Sequence, residues 1–157
     1  MEICVLSDTH ASSLDNLSAQ LIEKLKAADL VIHAGDFTDE KLLDELSSLN
    51  ELKAVYGNMD SKDIRRVLPP KELFTIEGRN IGLTHGSGSP VGIAERVRQM
   101  FDSPDIIIFG HSHQPEKVVI ENSLMLNPGP ARSSFTWLEI GDKIQVEIVK
   151  LQAGSDD

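Results

Sequence analysis

Cysteine is nearly absent: the 157-residue chain has one, Cys4. That excludes an intrachain disulfide and makes a reducing, cytoplasmic setting the natural expectation, with Cys4 read as a buried core thiol in the apolar opening run. Positive charge is also short. Fifteen Lys and Arg against 25 Asp and Glu leave a formal net charge of −10, which repels polyanions and argues against a non-specific nucleic-acid binder. A small phosphate ester stays compatible, because bound cations invert the local field within one pocket. Long apolar runs are missing too. The longest strongly apolar stretch, Ile106 to Phe109, is far below the roughly 20 residues of a membrane span. No basic n-region or small-residue cleavage site opens the chain, so the expectation is a soluble protein away from the membrane. There is no fixed-period repeat, low-complexity tract or linker.

What remains fits one domain, 1–157, with a frayed tail from about residue 152. At 40% hydrophobic residues it can build a core without a structural metal, so any metal is free to serve chemistry. Residues 2–7 read as a strand, and Leu14, Leu17, Leu21, Leu25 and Ala28 recur at helical spacing behind Ser12 and Ser13 as caps. The unit repeats as strand Leu30 to Ala34 and helix Glu40 to Leu49, followed by strand Leu52 to Tyr56. Beyond Pro69-Pro70, Glu72 to Ile76 and Asn80 to Thr84 flank a hairpin turn at Glu77-Gly78-Arg79. A helix from about Pro90 to Phe101 and a strand Asp105 to Phe109 follow. From Lys117 onward the pattern is all-β, with turns at Asn122-Ser123 and Gly141-Asp142. Alternating βα units and then hairpins predict an α/β layered fold, with a mixed sheet or two packed sheets and helices outside.

The informative residues lie at strand ends. Asp8 and His10 follow the first strand, Asp36 the second, Asn58 the third, His85 the strand from Asn80, and His111 and His113 the strand from Asp105. Carboxyl ends of strands gather on one edge of an open α/β sheet, where ligands bind. Gly35, Gly57, Gly86 and Gly110 adjoin four of these groups and permit tight turns. Asp8-x-His10 and His111-x-His113 each direct two side chains to one side if the backbone is extended. Carboxylate, carboxamide and imidazole without thiolate suit Mn²⁺, Zn²⁺, Fe or Ni²⁺. Seven donors exceed one tetrahedral shell. With Asp36 bridging, they match a two-metal hydrolase whose open positions take water or substrate oxygens.

Each residue alone has an ordinary reading. Asp8 suits an Asx-turn or helix cap, and His10 a solvated loop. Asp36 and Asn58 suit turns, Asn58 in a left-handed conformation, and His85, His111 and His113 suit hydrogen-bonded structural imidazoles. Independent turns do not explain why all seven end strands on one edge. His33, inside the second strand, is read either as packed core or as a histidine that orients a ligand.

Together, Asp8-Thr9-His10, Gly35-Asp36, Gly57-Asn58-Met59-Asp60, His85-Gly86 and Gly110-His111-Ser112-His113 resemble the calcineurin-like metallophosphoesterase superfamily over residues 1 to about 130. More narrowly, the chain resembles its small uncapped prokaryotic phosphodiesterases, which share a fold with a subunit of the retromer coat. The resemblance implies a four-layer αββα sandwich of two mixed sheets flanked by helices, and two divalent ions, with Mn expected and Ni, Zn or Fe as alternatives. It implies that Asp8, His10 and His113 hold the first ion, that Asp36 bridges, and that Asn58, His85 and His111 hold the second; Asn58 is assigned a catalytic as well as a ligating role. The activity implied is hydrolysis of a small phosphate ester, most naturally a diester, by hydroxide bound at the dinuclear centre. Relatives often form homo-oligomers.

Two departures matter. Many members carry histidine at the position of Met59, and a thioether cannot donate a proton. General-acid help is worth roughly 10²–10⁴-fold, so poor alkoxide leaving groups are expected to react slowly. The second is Asn127-Pro128-Gly129-Pro130, where relatives commonly end in serine. This segment is read as a loop brace, with Arg132 or Ser133 as replacements for the lost hydroxyl. Rival functions are an interaction scaffold of the same fold, a phosphomonoesterase, and a nuclease, for which no basic groove is visible.

Overall fold

Alternation along the first strand decides the layering. In β1 (Glu2–Leu6) the side chains of Ile3 and Val5 enter one apolar cluster and those of Cys4 and Leu6 another, as the two-residue period of a strand requires. The computed structural model describes residues 1–151; the tail expected from about residue 152 lies outside them.

A 3₁₀ turn at Leu14–Asn16 and α1 (Ala19–Ala27) follow β1. The order continues with β2 (Leu30–His33), α2 (Glu40–Leu49), β3 (Leu52–Ala54), α3 (Lys62–Val67), β4 (Lys71–Ile76) and β5 (Arg79–Thr84). It ends with α4 (Ile93–Arg98), β6 (Ile106–Ile108), β7 (Glu116–Ile120), β8 (Ser123–Asn127), β9 (Ser134–Ile140) and β10 (Ile144–Lys150). The first sheet has the order β10-β9-β1-β2-β3 and the second β4-β5-β6-β8-β7. Both are mixed: β1, β2 and β3 are parallel, as are β5, β6 and β8, with antiparallel strands outside.

The two sheets share a core of Ile3, Val5 and Ile32 against Ile81, Leu83, Ile106 and Ile108. On the other face of the first sheet, Leu21, Leu25, Leu42, Leu46 and Ile64 bring down α1, α2 and α3. On the far face of the second, Ile93 and Val97 of α4 pack on Ile107, Phe109 and Met125. The result is the expected α/β sandwich.

Several expected elements differ in detail. The single helix from Leu14 to Ala28 is two, because Ser13 and Ser18 each cap a separate start: Ser13 Oγ accepts from Asp15 N and Ser18 Oγ from Leu21 N. Each such cap satisfies a backbone donor that would otherwise be orphaned at a helix start. Helix α3, absent from the sequence reading, is one turn and a half capped by Ser61, with only Ile64 buried; so short an element carries little periodic signal. Helix α4 is shorter than the expected Pro90 to Phe101, starting after Gly92 at φ +76°. The turn between β7 and β8 falls at Glu121-Asn122, both left-handed, one residue earlier than expected.

Ile108 is fully buried between the sheets, directly before the strand end that carries His111. Replacing it with alanine is expected to cost roughly 2–5 kcal/mol, read as a lowered denaturant midpoint at unchanged slope. A change within 0.5 kcal/mol would show that the inter-sheet layer does not carry the packing assigned to it.

Candidate metal centre

Parallel β1, β2 and β3 and parallel β5 and β6 end on one edge of the sandwich, and the residues that follow them meet. Five of the seven candidate ligands are left-handed: Asp8 (φ 51°), His10 (φ 45°), Asp36 (φ 64°), His111 (φ 71°) and His113 (φ 62°). The expectation of extended backbone in Asp8-x-His10 and His111-x-His113 is therefore wrong in its geometry: paired αL turns, not a flat strand, bring each pair to the centre. Asn58 is not among the left-handed residues. Left-handed non-glycine backbone costs of order 1–2 kcal/mol per residue, so other bonds must hold these turns.

Those bonds are visible. Asp8 N donates to Gly35 O (2.9 Å), His10 N to Asp36 O (3.3 Å) and Gly110 N to His85 O (3.0 Å). Asp60, 6% exposed, clamps three backbone amides: Oδ2 accepts from Asp36 N (2.9 Å) and Gly57 N (2.8 Å), and Oδ1 from Thr38 N (2.8 Å). Arg65 donates to the carbonyls of Asn58 and Asp60. Glycine is required at Gly57, where an added Cβ would overlap the Asp36 carboxylate, and at Gly110, where it would strike Ser7 Oγ and Asp8 Oδ2.

The side chains are fixed from behind and free in front. Asp8, 2% exposed, accepts through Oδ2 from Ser7 Oγ (2.6 Å) and His111 N (3.2 Å), while its buried Oδ1 has no hydrogen-bond partner. That oxygen lies 3.4 Å from His113 Nε2, 3.8 Å from His85 Nε2 and 4.0 Å from His10 Nε2. Asp36 Oδ1 accepts from Met59 N (2.8 Å), and its Oδ2 faces His85 Nε2 (3.3 Å) and His10 Nε2 (3.7 Å). A backbone carbonyl only accepts, so the contact of His85 Nδ1 with Ala34 O (2.7 Å) puts the ring proton on Nδ1. By the same logic the contact of His111 Nε2 with Gly88 O (3.0 Å) protonates Nε2. The remaining nitrogens, His85 Nε2 and His111 Nδ1, converge on Asn58 Oδ1 at 3.1 and 3.2 Å.

Lone pairs thus face lone pairs between the buried Asp8, Asp36 and His85, with the exposed His10 and His113 at the open side, a repulsion that a proton or a cation relieves. Two overlapping groups have ligand atoms within 4.8 Å of one another: Asp8 with His10 and His113, and Asp8 with Asp36 and His85. Burial alone pulls the His85 imidazole down, but its bond to Asp36 and the charges of Asp8 and Asp36 raise it above the ordinary histidine value. Burial would lift the Asp36 carboxyl, yet the bond and charge of His85 hold it at about 2.

His33, open between two readings in sequence, is fully buried, and its ring bonds to Gly35 and Thr9, neither of them a candidate ligand. Nδ1 accepts from Gly35 N (3.0 Å), leaving the proton on Nε2 for Thr9 Oγ1 (3.2 Å), and Phe37 stacks on the ring. Burial pushes its pKa down to about 3. Asn127 is a brace, as expected: Nδ2 donates to Gly110 O and Ser112 Oγ and Oδ1 accepts from Gly129 N. Three contributors were missed, the first being Arg65, which holds the carbonyls of Asn58 and Asp60. Asp60 was seen in sequence only as part of a motif, and Arg96, whose guanidinium donates to the carbonyls of Ser87, Ser89 and Val91, carried no signal because it holds backbone alone. It shapes the loop that supplies Gly88 O to His111.

A family model described as the calcineurin-like phosphoesterase superfamily domain matches residues 1–151. A "Probable metallophosphoesterase" of Methanothermobacter thermautotrophicus is 33% identical, covering 98% of this chain and 94% of that protein. A phosphodiesterase of Methanocaldococcus jannaschii is 28% identical over 88% of this chain and 89% of its own length. Among solved structures, wild-type Vps29 of Entamoeba histolytica complexed with Zn²⁺ superposes with a TM-score of 0.73 at 25% identity, covering 96% of this chain and 99% of the other.

Two outcomes follow from this geometry. His33 is neutral in the fold and titrates near 6.5 once unfolded, so stability is fullest above about pH 6.5. It is lost as pH falls towards 3, by about 1 kcal/mol per unit. Denaturant unfolding at pH 6.5 and 5 should show a smaller loss in His33→Gln than in the parent; equal losses would contradict the assignment. Gly57→Ala should weaken metal uptake at least tenfold by calorimetric titration, since the carboxylate of Asp36 must move aside, and unchanged uptake would contradict the close approach.

Proposed function

Since the chain belongs to the calcineurin-like phosphoesterase superfamily, we propose that it is a metal-dependent phosphoesterase whose substrate is a diester or activated ester of phosphoric acid. The observation that carries this reading is the orphaned Asp8 Oδ1, buried among three imidazole nitrogens. A buried carboxylate oxygen without a partner is costly, and a cation at that place removes the cost. Asp8, His10 and His113 would hold one divalent ion and Asn58, His85 and His111 a second, with Asp36 between them. Mn²⁺ suits this donor set, as do Ni²⁺, Zn²⁺ and Fe.

Bound there, such ions supply Lewis-acid polarisation of the phosphoryl oxygens and a lowered pKa for water. The rest is done by the chain. Ala34 O and Gly88 O hold the outward ring protons of His85 and His111, so the other nitrogen of each ring is aimed inward. Asp60, His33 and Asn127 keep three turns from relaxing. Asn58 presents Oδ1 to the two imidazoles, leaving its amide N–H groups to donate to a substrate oxygen. Met59, 59% exposed, has no proton to give, so the leaving oxygen must depart without help from this position. That favours phenolate-like leaving groups and supports diester over alkyl monoester hydrolysis. The name of the M. jannaschii relative points the same way.

An interaction scaffold would need none of the converging lone pairs, and a nuclease would need a basic track for a polymer. The lone thiol, Cys4, is buried and pushed up to about 12 by burial; a chain with one cysteine and no disulfide suits a reducing, cytoplasmic setting.

Chelator should abolish hydrolysis of bis(p-nitrophenyl) phosphate and Mn²⁺ or Ni²⁺ restore it. Asp36→Asn should lower kcat at least about 100-fold, beyond the 10–100-fold typical of outer-shell losses. No metal-restored turnover at any pH, or parental turnover in Asp36→Asn, would overturn the reading.

A further inference from the structure

The centre divides two clefts. One, of about 600 Å³, is lined by Asp8, His10 and His113 together with Ser12, Asn16 and Arg132. The other, of about 530 Å³, is lined by Asn58 and His85 together with Tyr56, Arg65 and Lys71, with Arg65 Nη2 donating to Asn58 O (2.9 Å). Neither cleft includes the donors of the other, and Asp36 joins them, with Oδ2 3.7 Å from His10 and 3.3 Å from His85. Each volume lies within the roughly 300–1,000 Å³ of small-molecule sites.

Charge is distributed unevenly between them. In a chain of net charge −10, the first cleft is lined by one cation, Arg132, and one carboxylate, that of Asp8. The second is lined by Arg65 and Lys71 and by no carboxylate among the described residues. Both cations keep capacity to spare. Lys71 Nζ donates to Met100 O, and the Arg65 guanidinium, set over the Tyr56 ring at 5.0 Å, spends Nε and Nη2 on two carbonyls and leaves Nη1. Two cations in a cleft free of carboxylates, beside an anionic reacting group, suit a second anion.

We propose that the substrate is a phosphodiester with two arms of about nucleoside size, one in each cleft, and that the arm in the second cleft ends in a further phosphate held by Lys71 and Arg65. The uncharged polar arm lies along Ser12, Asn16 and Arg132. This rests on the phosphoesterase reading for the place of the central phosphate, and it adds what flanks it. A substrate with one small ester group leaves one cleft unused, and a cyclic diester cannot reach into both.

The test is calorimetric binding to the metal-loaded protein of three slowly hydrolysed phosphorothioate diesters: the methyl ester of thymidine 3′-phosphorothioate, dithymidine phosphorothioate, and its 5′-phosphorylated form. Kd should fall about tenfold at each step. Ser12→Trp, which fills the first cleft, should erase the first gain, and Lys71→Met the second, each leaving the methyl ester's Kd within threefold. Equal affinity for all three ligands, or gains that survive these substitutions, would overturn the proposal. Bis(p-nitrophenyl) phosphate turnover, run alongside, separates the two claims. Turnover without the binding pattern removes the two-arm substrate and spares the esterase, whereas the pattern without turnover removes the esterase and spares the clefts.

Discussion

The carboxylate of Asp8 is pinned on one side and left bare on the other, and the edge of the sandwich is built around that asymmetry. Ser7 Oγ and the amide of His111 occupy Oδ2, so Oδ1 is turned into a space it shares with imidazole nitrogens from its own loop and two others. The same division recurs at each neighbour: His85 spends Nδ1 on Ala34 O, His111 spends Nε2 on Gly88 O, and Asp36 spends Oδ1 on Met59 N. What remains available on each side chain is a lone pair directed at one place. Lone pairs so placed repel one another, and the arrangement is at ease only with positive charge among them.

Such an arrangement has to be held against relaxation. Five left-handed ligand residues would each be more comfortable elsewhere, and loops alone would let them go. The restraint comes from both sheets at once. Loops after β1 and β2 bond to each other through Asp8 N and His10 N, and the loop after β5 crosses from the second sheet to reach Ala34 O in the first. Asp60 ties Asp36, Thr38 and Gly57 from a third loop. The buried layer of Ile3, Val5, Ile32, Ile81, Leu83 and Ile108 between the sheets thereby acts on the chemistry, because it fixes the distance across which these bonds are made.

Much of this was legible in the residues. Alternating Ile3-Cys4-Val5-Leu6 and the leucine stripe of α2 announce strand and helix through period alone, and seven donors at strand ends announce a shared edge. Conformation and support were not legible. An Asp-x-His pair reads the same whether its backbone is extended or left-handed, and only the bonds of Gly35 O and Asp36 O decide. Asp60 and Arg96 act on backbone amides and carbonyls, which are present everywhere and so leave no pattern. Helix α3 escaped because one buried residue, Ile64, makes no stripe. The division of the centre between two clefts depends on which loops stand apart in space, and no spacing along the chain encodes it.

Charge links fold and chemistry at the largest scale. The chain is strongly acidic, yet Arg65, Lys71 and Arg132 line the clefts, so an anion meets positive side chains beside the centre. The chemistry proposed for this edge depends on cations seated between Asp8, Asp36 and the imidazoles. Anomalous diffraction from a crystal soaked in Mn²⁺ measures this most directly. Two peaks are expected, one beside Asp8, His10 and His113 and one beside Asn58, His85 and His111, with the Asp36 carboxylate shared. A map without a peak at Asp8 Oδ1 after saturation, or with these side chains turned apart, would contradict it.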